Sequence, residues 1–125
     1  MQRLLGIVCF EKNYRLSYFL NKKLDINLSK LGKSVEITHK KTSFELPYFY
    51  AQKEDYHFFL IENRSPISRI FPKFKKINYW LYITNDNELD KRDFEKEISS
   101  INIILTSLKI VDEKVFNFFS DILYV

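Results

Sequence analysis

Ile77-Asn78-Tyr79-Trp80-Leu81-Tyr82-Ile83-Thr84 is the stretch on which the fold turns. Read as an extended chain, Ile77, Tyr79, Leu81 and Ile83 point to one side and Asn78, Trp80, Tyr82 and Thr84 to the other. A period of two over eight residues predicts a β-strand with large side chains on both faces. Such a strand belongs inside a sheet, and the chain around it must supply partners for its edges and cover for its faces.

Upstream of it, residues 63–76 carry two prolines, Pro66 and Pro72, and no acidic side chain. They predict a loop. Arg64, Arg69, Lys73, Lys75 and Lys76 give this loop five positive charges in fourteen residues. Farther upstream the residues again read as strands. Tyr56 to Ile61 is apolar, Phe44-Glu45-Leu46 alternates up to Pro47 and continues through Tyr48-Phe49-Tyr50, and Val35-Glu36-Ile37-Thr38 alternates too. Pro47 cannot donate to a ladder and marks an edge or a bulge. Lys53-Glu54-Asp55 reads as a hairpin tip.

Two helices flank this strand-rich middle. Asn13 reads as a cap for a helix over residues 14–24, with Leu16, Phe19, Leu20 and Leu24 on one face and Glu11 paired to Arg15 at its start. Asp25-Ile26-Asn27 ends it. Downstream, Asn85-Asp86-Asn87 predicts a turn and cap for a second helix over residues 88–98. It would carry Leu89, Phe94 and Ile98 on one stripe and a Glu88–Arg92 pair. The ends of the chain complete the pattern. Leu4 to Phe10 is an unbroken apolar run, expected as a central buried strand. Residues 102–111 read as a last strand, and Val115, Phe118, Phe119 and Ile122 recur at helical spacing in a short terminal helix. The order is β-α-β-β-β-β-α-β plus that helix. Hairpin-type runs between two helices predict a single α+β domain over residues 1–125, with a mostly antiparallel sheet of five to six strands and two main helices.

Composition sets bounds on function. The 125 residues make one domain's length. Twelve Phe, eight Tyr and one Trp supply a core without disulfides or metal, and one Cys excludes an internal disulfide framework. Lys, Ile, Asn, Phe and Tyr have codons dominated by A and T, and they make up 58 residues, so base bias accounts for much of the net charge of +4. The distribution of charge carries more information than its total. Residues 1–85 are net +8 and residues 86–125 net −4. No apolar run approaches the ~20 residues that span a bilayer. The opening residues lack the cleavage site of a secretory signal. The expectation is a cytoplasmic protein that needs no membrane.

The candidate chemistry is sparse. Cys9 ends an apolar run near a helix start, where a thiolate could be activated, but a packed inert thiol is the plainer reading. Cys9, His39 and His57 are the only sulfur and imidazole ligands, and no ligand spacing joins them. Asp86, Glu88, Asp90, Asp93, Glu95 and Glu97 crowd one stretch. Asp93 and Glu97 at (i, i+4) could hold a hard cation, yet such a run more often forms a solvated helix face. Two glycines cannot build a phosphate loop, and no nucleophile elbow exists. The expectation is therefore no enzyme, no catalytic residue, no metal and no cofactor.

Phe71-Pro72-Lys73-Phe74-Lys75-Lys76-Ile77-Asn78-Tyr79 resembles the signature of the IPExxxVDY family, small bacterial proteins of unknown function. Pro72 and Tyr79 match, Phe71 and Ile77 stand for the apolar positions, and Lys73 and Asn78 replace the two acids. The segment from Asn13 to Leu24 is similar to the helix that opens these proteins. The resemblance implies no activity. It does imply a gene neighbourhood near ribonuclease III and acyl-chain synthesis, hence a partner class such as RNA or an acidic carrier protein.

The best binding candidate joins the basic loop to the strand after it. Arg64, Arg69, Lys73, Lys75 and Lys76 would form a positive rim beside Trp80 and Tyr82. Exposed rings next to cations suit RNA, or an acidic protein surface. In the alternative the terminal helix covers Trp80 and Tyr82, which then form a second small core. A homodimer through an aromatic sheet face or the edge near Pro47 is a further expectation, and a small enzyme with an unrecognised site comes after it.

Overall fold

A computed structural model describes residues 2–30, 34–86 and 92–123 of the chain. The elements are β1 (Gln2–Val8), α1 (Asn13–Leu24), β2 (Ser34–His39), β3 (Thr42–Pro47), β4 (Phe49–Lys53), β5 (Tyr56–Glu62), α2 (Ile67–Ile70), a 3-10 turn (Pro72–Phe74), β6 (Tyr79–Asn85), α3 (Phe94–Ser99), β7 (Thr106–Lys109) and α4 (Glu113–Ile122). They make a single α+β domain. Five strands form an antiparallel sheet in the order β4-β5-β6-β1-β7, and β2 and β3 form a separate hairpin.

The sheet is covered on both faces, which is why its central strands read as continuous apolar runs. On one face Leu5 and Ile7 of β1, Tyr79, Leu81 and Ile83 of β6, and Phe58 and Leu60 of β5 pack under α1 and α3. Leu16, Leu20 and Leu24 of α1 and Phe94 and Ile98 of α3 reach down to them. On the other face Leu4, Phe59, Ile61, Trp80 and Tyr82 meet Ile37 and Leu46 of the hairpin, Ile67 of α2, and Val115 and Phe119 of α4. Each fully buried large apolar side chain stabilises by roughly 1.5–3 kcal/mol, so both layers contribute to one core.

Local chemistry places the joints. α1 begins after Lys12, which makes no side-chain cap, so the capping role expected of Asn13 is not taken; the Glu11–Arg15 pair is present at 3.3 Å. Asp25 ends the helix in the left-handed region, with φ 54°, and its carboxylate pairs with Lys53. Glu54, also left-handed, turns β4 into β5. At Tyr48 the run expected to continue through residues 44–50 divides. Among the described residues β3 pairs only with β2, while β4 joins the main sheet. The outer side of β4 is bridged at Tyr50, which exchanges main-chain bonds with Ser29.

Four boundaries differ from the sequence reading. Residues 63–76 are not a plain loop: α2 and the 3-10 turn fold within them. Ile77 does not share a face with Tyr79. Its N–H bonds Phe74 O, which bends the chain before β6 and delivers its side chain to the Trp80 layer, against Gly6. A Cβ on Gly6 would collide with Ile77 Cδ1, so any larger residue there forces the Ile77 side chain to move. The second helix has its described start at Phe94, capped by Asp93, whose Oδ1 accepts from Lys96 N–H at 3.1 Å; the expected opening of that helix at residues 88–91 lies outside the described residues. The strand expected over 102–111 is confined to Thr106–Lys109, because residues 101–104 turn through two i→i+3 bonds.

Candidate basic interface

Residues 64–77 leave the sheet at the end of β5 and return at the start of β6, and their ends are pinned together. Asn63 N–H donates to Asn78 O, and the Asn63 side-chain amide donates to Phe74 O at 3.1 Å and Ile77 O at 2.7 Å. Ile67 is fully buried and anchors the middle. Phe71 contacts Phe118 and Phe74 contacts Trp80 edge-on, with ring centroids 5.3 and 5.7 Å apart. The segment is a compact surface excursion held by its own side chains.

The five cations expected to form the rim, Arg64, Arg69, Lys73, Lys75 and Lys76, are all exposed on this platform. Arg64 lies 3.9 Å from Glu62, and Lys73 Nζ is 2.8 Å from Asp112 Oδ2. Arg69, Lys75 and Lys76 have no ion pair to the described residues, so three positive charges face solvent unneutralised. Beside the platform a cleft of about 510 Å³ opens between Phe71, Pro72, Lys73 and Phe74 and the start of α4.

Trp80 and Tyr82 do not belong to that surface. Both are buried, and Phe119 of α4 packs on the two rings at centroid distances of 5.4 and 6.4 Å. The reading in which these rings face solvent is corrected, and the alternative of a second core covered by the terminal helix is the arrangement found. Alternation along β6 assigned the two rings a shared face; the amphipathic stripe of α4 removes that face from water.

The residues of the family-like signature are joints. Asn78 Oδ1 accepts from Cys9 N–H at 2.9 Å, and Asn78 N–H donates to Ile7 O. Tyr79 Oη donates to Glu11 O at 2.6 Å, and burial, with Glu62 and then the Cys9 thiol and Glu11 nearby, pushes its phenol up to about 12. Pro72 opens the 3-10 turn, and Lys73 ties that turn to the cap of α4. Sequence reading had no signal for these roles, because each partner lies about forty to seventy residues away in the chain.

The other candidates are dispersed. Cys9 is buried, and desolvation raises its thiol, the opposite of an activated thiolate. His57 Nδ1 is 2.6 Å from Tyr50 Oη on β4, while His39 ends β2. Asp93 is taken by the helix cap, and both oxygens of Glu97 accept from Arg92 at 2.7 and 2.9 Å. Among the described residues, no three of His, Cys, Asp and Glu gather at one point, and no helix is long and apolar enough to cross a membrane. Comparison with family models, with curated proteins and with solved structures finds no match to this chain.

Proposed function

We propose that this chain is a cytoplasmic, non-enzymatic binding module, akin to the IPExxxVDY proteins it resembles, whose platform 64–77 seats an acidic protein surface. The observation that carries the reading is the set of exposed cations Arg69, Lys75 and Lys76, without an ion pair to any described residue, on a segment pinned at both ends and free of acids. A pinned platform loses little conformational entropy on binding, so its charges act at low cost. The burial of Trp80 and Tyr82 removes the stacking surface that single-stranded RNA would use and favours a protein partner. Half-buried Phe71 and Phe74 beside the cations offer that partner an apolar foothold.

Affinity capture from lysate, with and without nuclease, tests the proposal. The expected result is a nuclease-resistant acidic protein whose capture is lost in the Arg69→Glu, Lys75→Glu, Lys76→Glu variant. Capture that vanishes with nuclease and falls steeply with salt would assign the platform to RNA instead. Capture untouched by the triple variant would remove the platform from the function.

A further inference from the structure

We propose that the outer face of α1 is a second binding surface, which holds a single strand of RNA. α1 packs on one face of the sheet, whereas Ile67, Phe71 and Phe74 of the platform pack on the other, so the two surfaces are separate. α1 buries Leu16, Ser17, Leu20 and Leu24. At about 100° per residue, Tyr14, Tyr18, Lys22, Arg15, Phe19 and Lys23 follow one another around the opposite half of the helix. Tyr14 and Tyr18 are 65% and 56% exposed, Phe19 is half-buried, and the three cations are exposed. Rings and cations alternate on this face. Lys22 Nζ lies 6.0 Å from the centroid of Tyr18, Arg15 Cζ lies 5.5 Å from that of Phe19, and Tyr18 meets Phe19 edge-on at 5.4 Å. No acidic residue occurs between Asn13 and Leu24. The acids at the two ends of the helix are engaged, Glu11 by Arg15 at 3.3 Å and Asp25 by Lys53. Lys22 and Lys23 have no ion pair to a described residue.

This chemistry selects its ligand. Cations set between flat rings fit a polyanion that itself carries flat faces: phosphates meet Lys22 and Lys23, and unpaired bases stack on Tyr14 and Tyr18. An acidic protein supplies the charge but no succession of flat faces, and in a duplex the base faces are closed within the stack. A lipid surface calls for an apolar stripe opposite a charged face, which the alternation on α1 does not provide. The tyrosine hydroxyls favour RNA over DNA, because the ribose 2′-hydroxyl gives them a hydrogen-bond partner that deoxyribose lacks. The platform has no such stacking surface, since Trp80 and Tyr82 are buried. The exposed rings of the chain stand on α1 instead.

Fluorescence anisotropy of a labelled oligouridylate, titrated with the protein at low salt, reads the binding. Tyr14→Ala with Tyr18→Ala should weaken it about tenfold or more, while the circular dichroism melt is retained because both rings lie outside the core. Tyr14→Phe with Tyr18→Phe should keep the stacking and lose the preference over oligodeoxythymidylate. Lys22→Gln with Lys23→Gln should lower the slope of log affinity against log salt by about 1.4, the share of two phosphate contacts. Arg69→Gln with Lys75→Gln and Lys76→Gln should cost less than the loss of the two rings, so the outcome here is independent of what the platform binds. Absence of binding at low salt overturns the inference. So does binding that survives Tyr14→Ala with Tyr18→Ala, or that is lost chiefly with the platform cations. Oligodeoxythymidylate held as tightly as oligouridylate overturns the choice of RNA, and a nuclease-resistant protein captured through Tyr14 and Tyr18 overturns the choice of nucleic acid.

Discussion

Phe119 of α4 lies tilted on the indole of Trp80, ring centroids 5.4 Å apart, and this contact assigns one whole face of β6 to the core rather than to solvent. Trp80 is the only tryptophan, and its indole N–H is buried with no hydrogen-bond partner among the described residues. Its fluorescence therefore reports the layer directly. We expect blue-shifted emission that resists acrylamide in the native protein and red-shifts on unfolding. Emission at the fully hydrated position in the folded protein would contradict the packing. Phe119→Ala should cost about 3–5 kcal/mol in urea unfolding. Trp80→Phe should cost far less, because the volume it loses is offset by removal of an unsatisfied donor.

Gly6 and Ile77 form a lock between β1 and the turn before β6. Gly6→Ala should destabilise by about 1–3 kcal/mol through overpacking against Ile77. Adding Ile77→Ala should recover part of that loss, since the clash disappears with the isoleucine. A double-mutant cycle on chemical unfolding measures the coupling. Strictly additive effects would show that the two residues do not compete for one space.

The β2–β3 hairpin turns through Lys40 and Lys41, with φ of 50° and 65°. Two successive left-handed residues are the demand of a two-residue hairpin turn that favours Asn-Gly, and lysine meets it at a steric cost. Lys40→Asn with Lys41→Gly should raise stability by about 1 kcal/mol. An unchanged melting temperature would refute the strain.

Asp112 couples the platform to α4. Its Oδ1 accepts from Lys114 and Val115 N–H, and its Oδ2 meets Lys73. The Lys73 hydrogen bond, helped by those amides and by the lysine charge, holds its carboxyl below the usual 3.8. A carboxyl depressed in the folded state stabilises above its unfolded value, and that contribution is lost as pH falls through the folded value. Asp112→Asn should therefore be less stable than wild type near neutral pH, and the gap should narrow as pH drops below about 4. Melting temperatures across that range check the sign; a gap that stays constant or widens in acid would refute the coupling.

The positions of the cations were legible in the sequence because a run of five charges without acids has nowhere to go but solvent. Their pinning was not, since Asn63 works through main-chain groups of residues 74, 77 and 78 that carry no residue-type signal. The joints made by Asn78 and Tyr79 stayed hidden for the same reason: their partners are the N–H of Cys9 and the carbonyl of Glu11. The division at Tyr48 was marked by Pro47, but which sheet each half joins was not.

Periodicity alone determined that Tyr79 to Thr84 and the hairpin runs are strands, that residues 14–24 are a helix, and that the class is α+β, because side-chain spacing reflects local backbone geometry. Only the tertiary structure decided which face meets water. The alternation of Trp80 and Tyr82 is equally compatible with a binding surface and with a core, and what separates them is burial against α4, contributed by residues more than thirty positions away. Burial is a property of packed elements and is not encoded in any one of them.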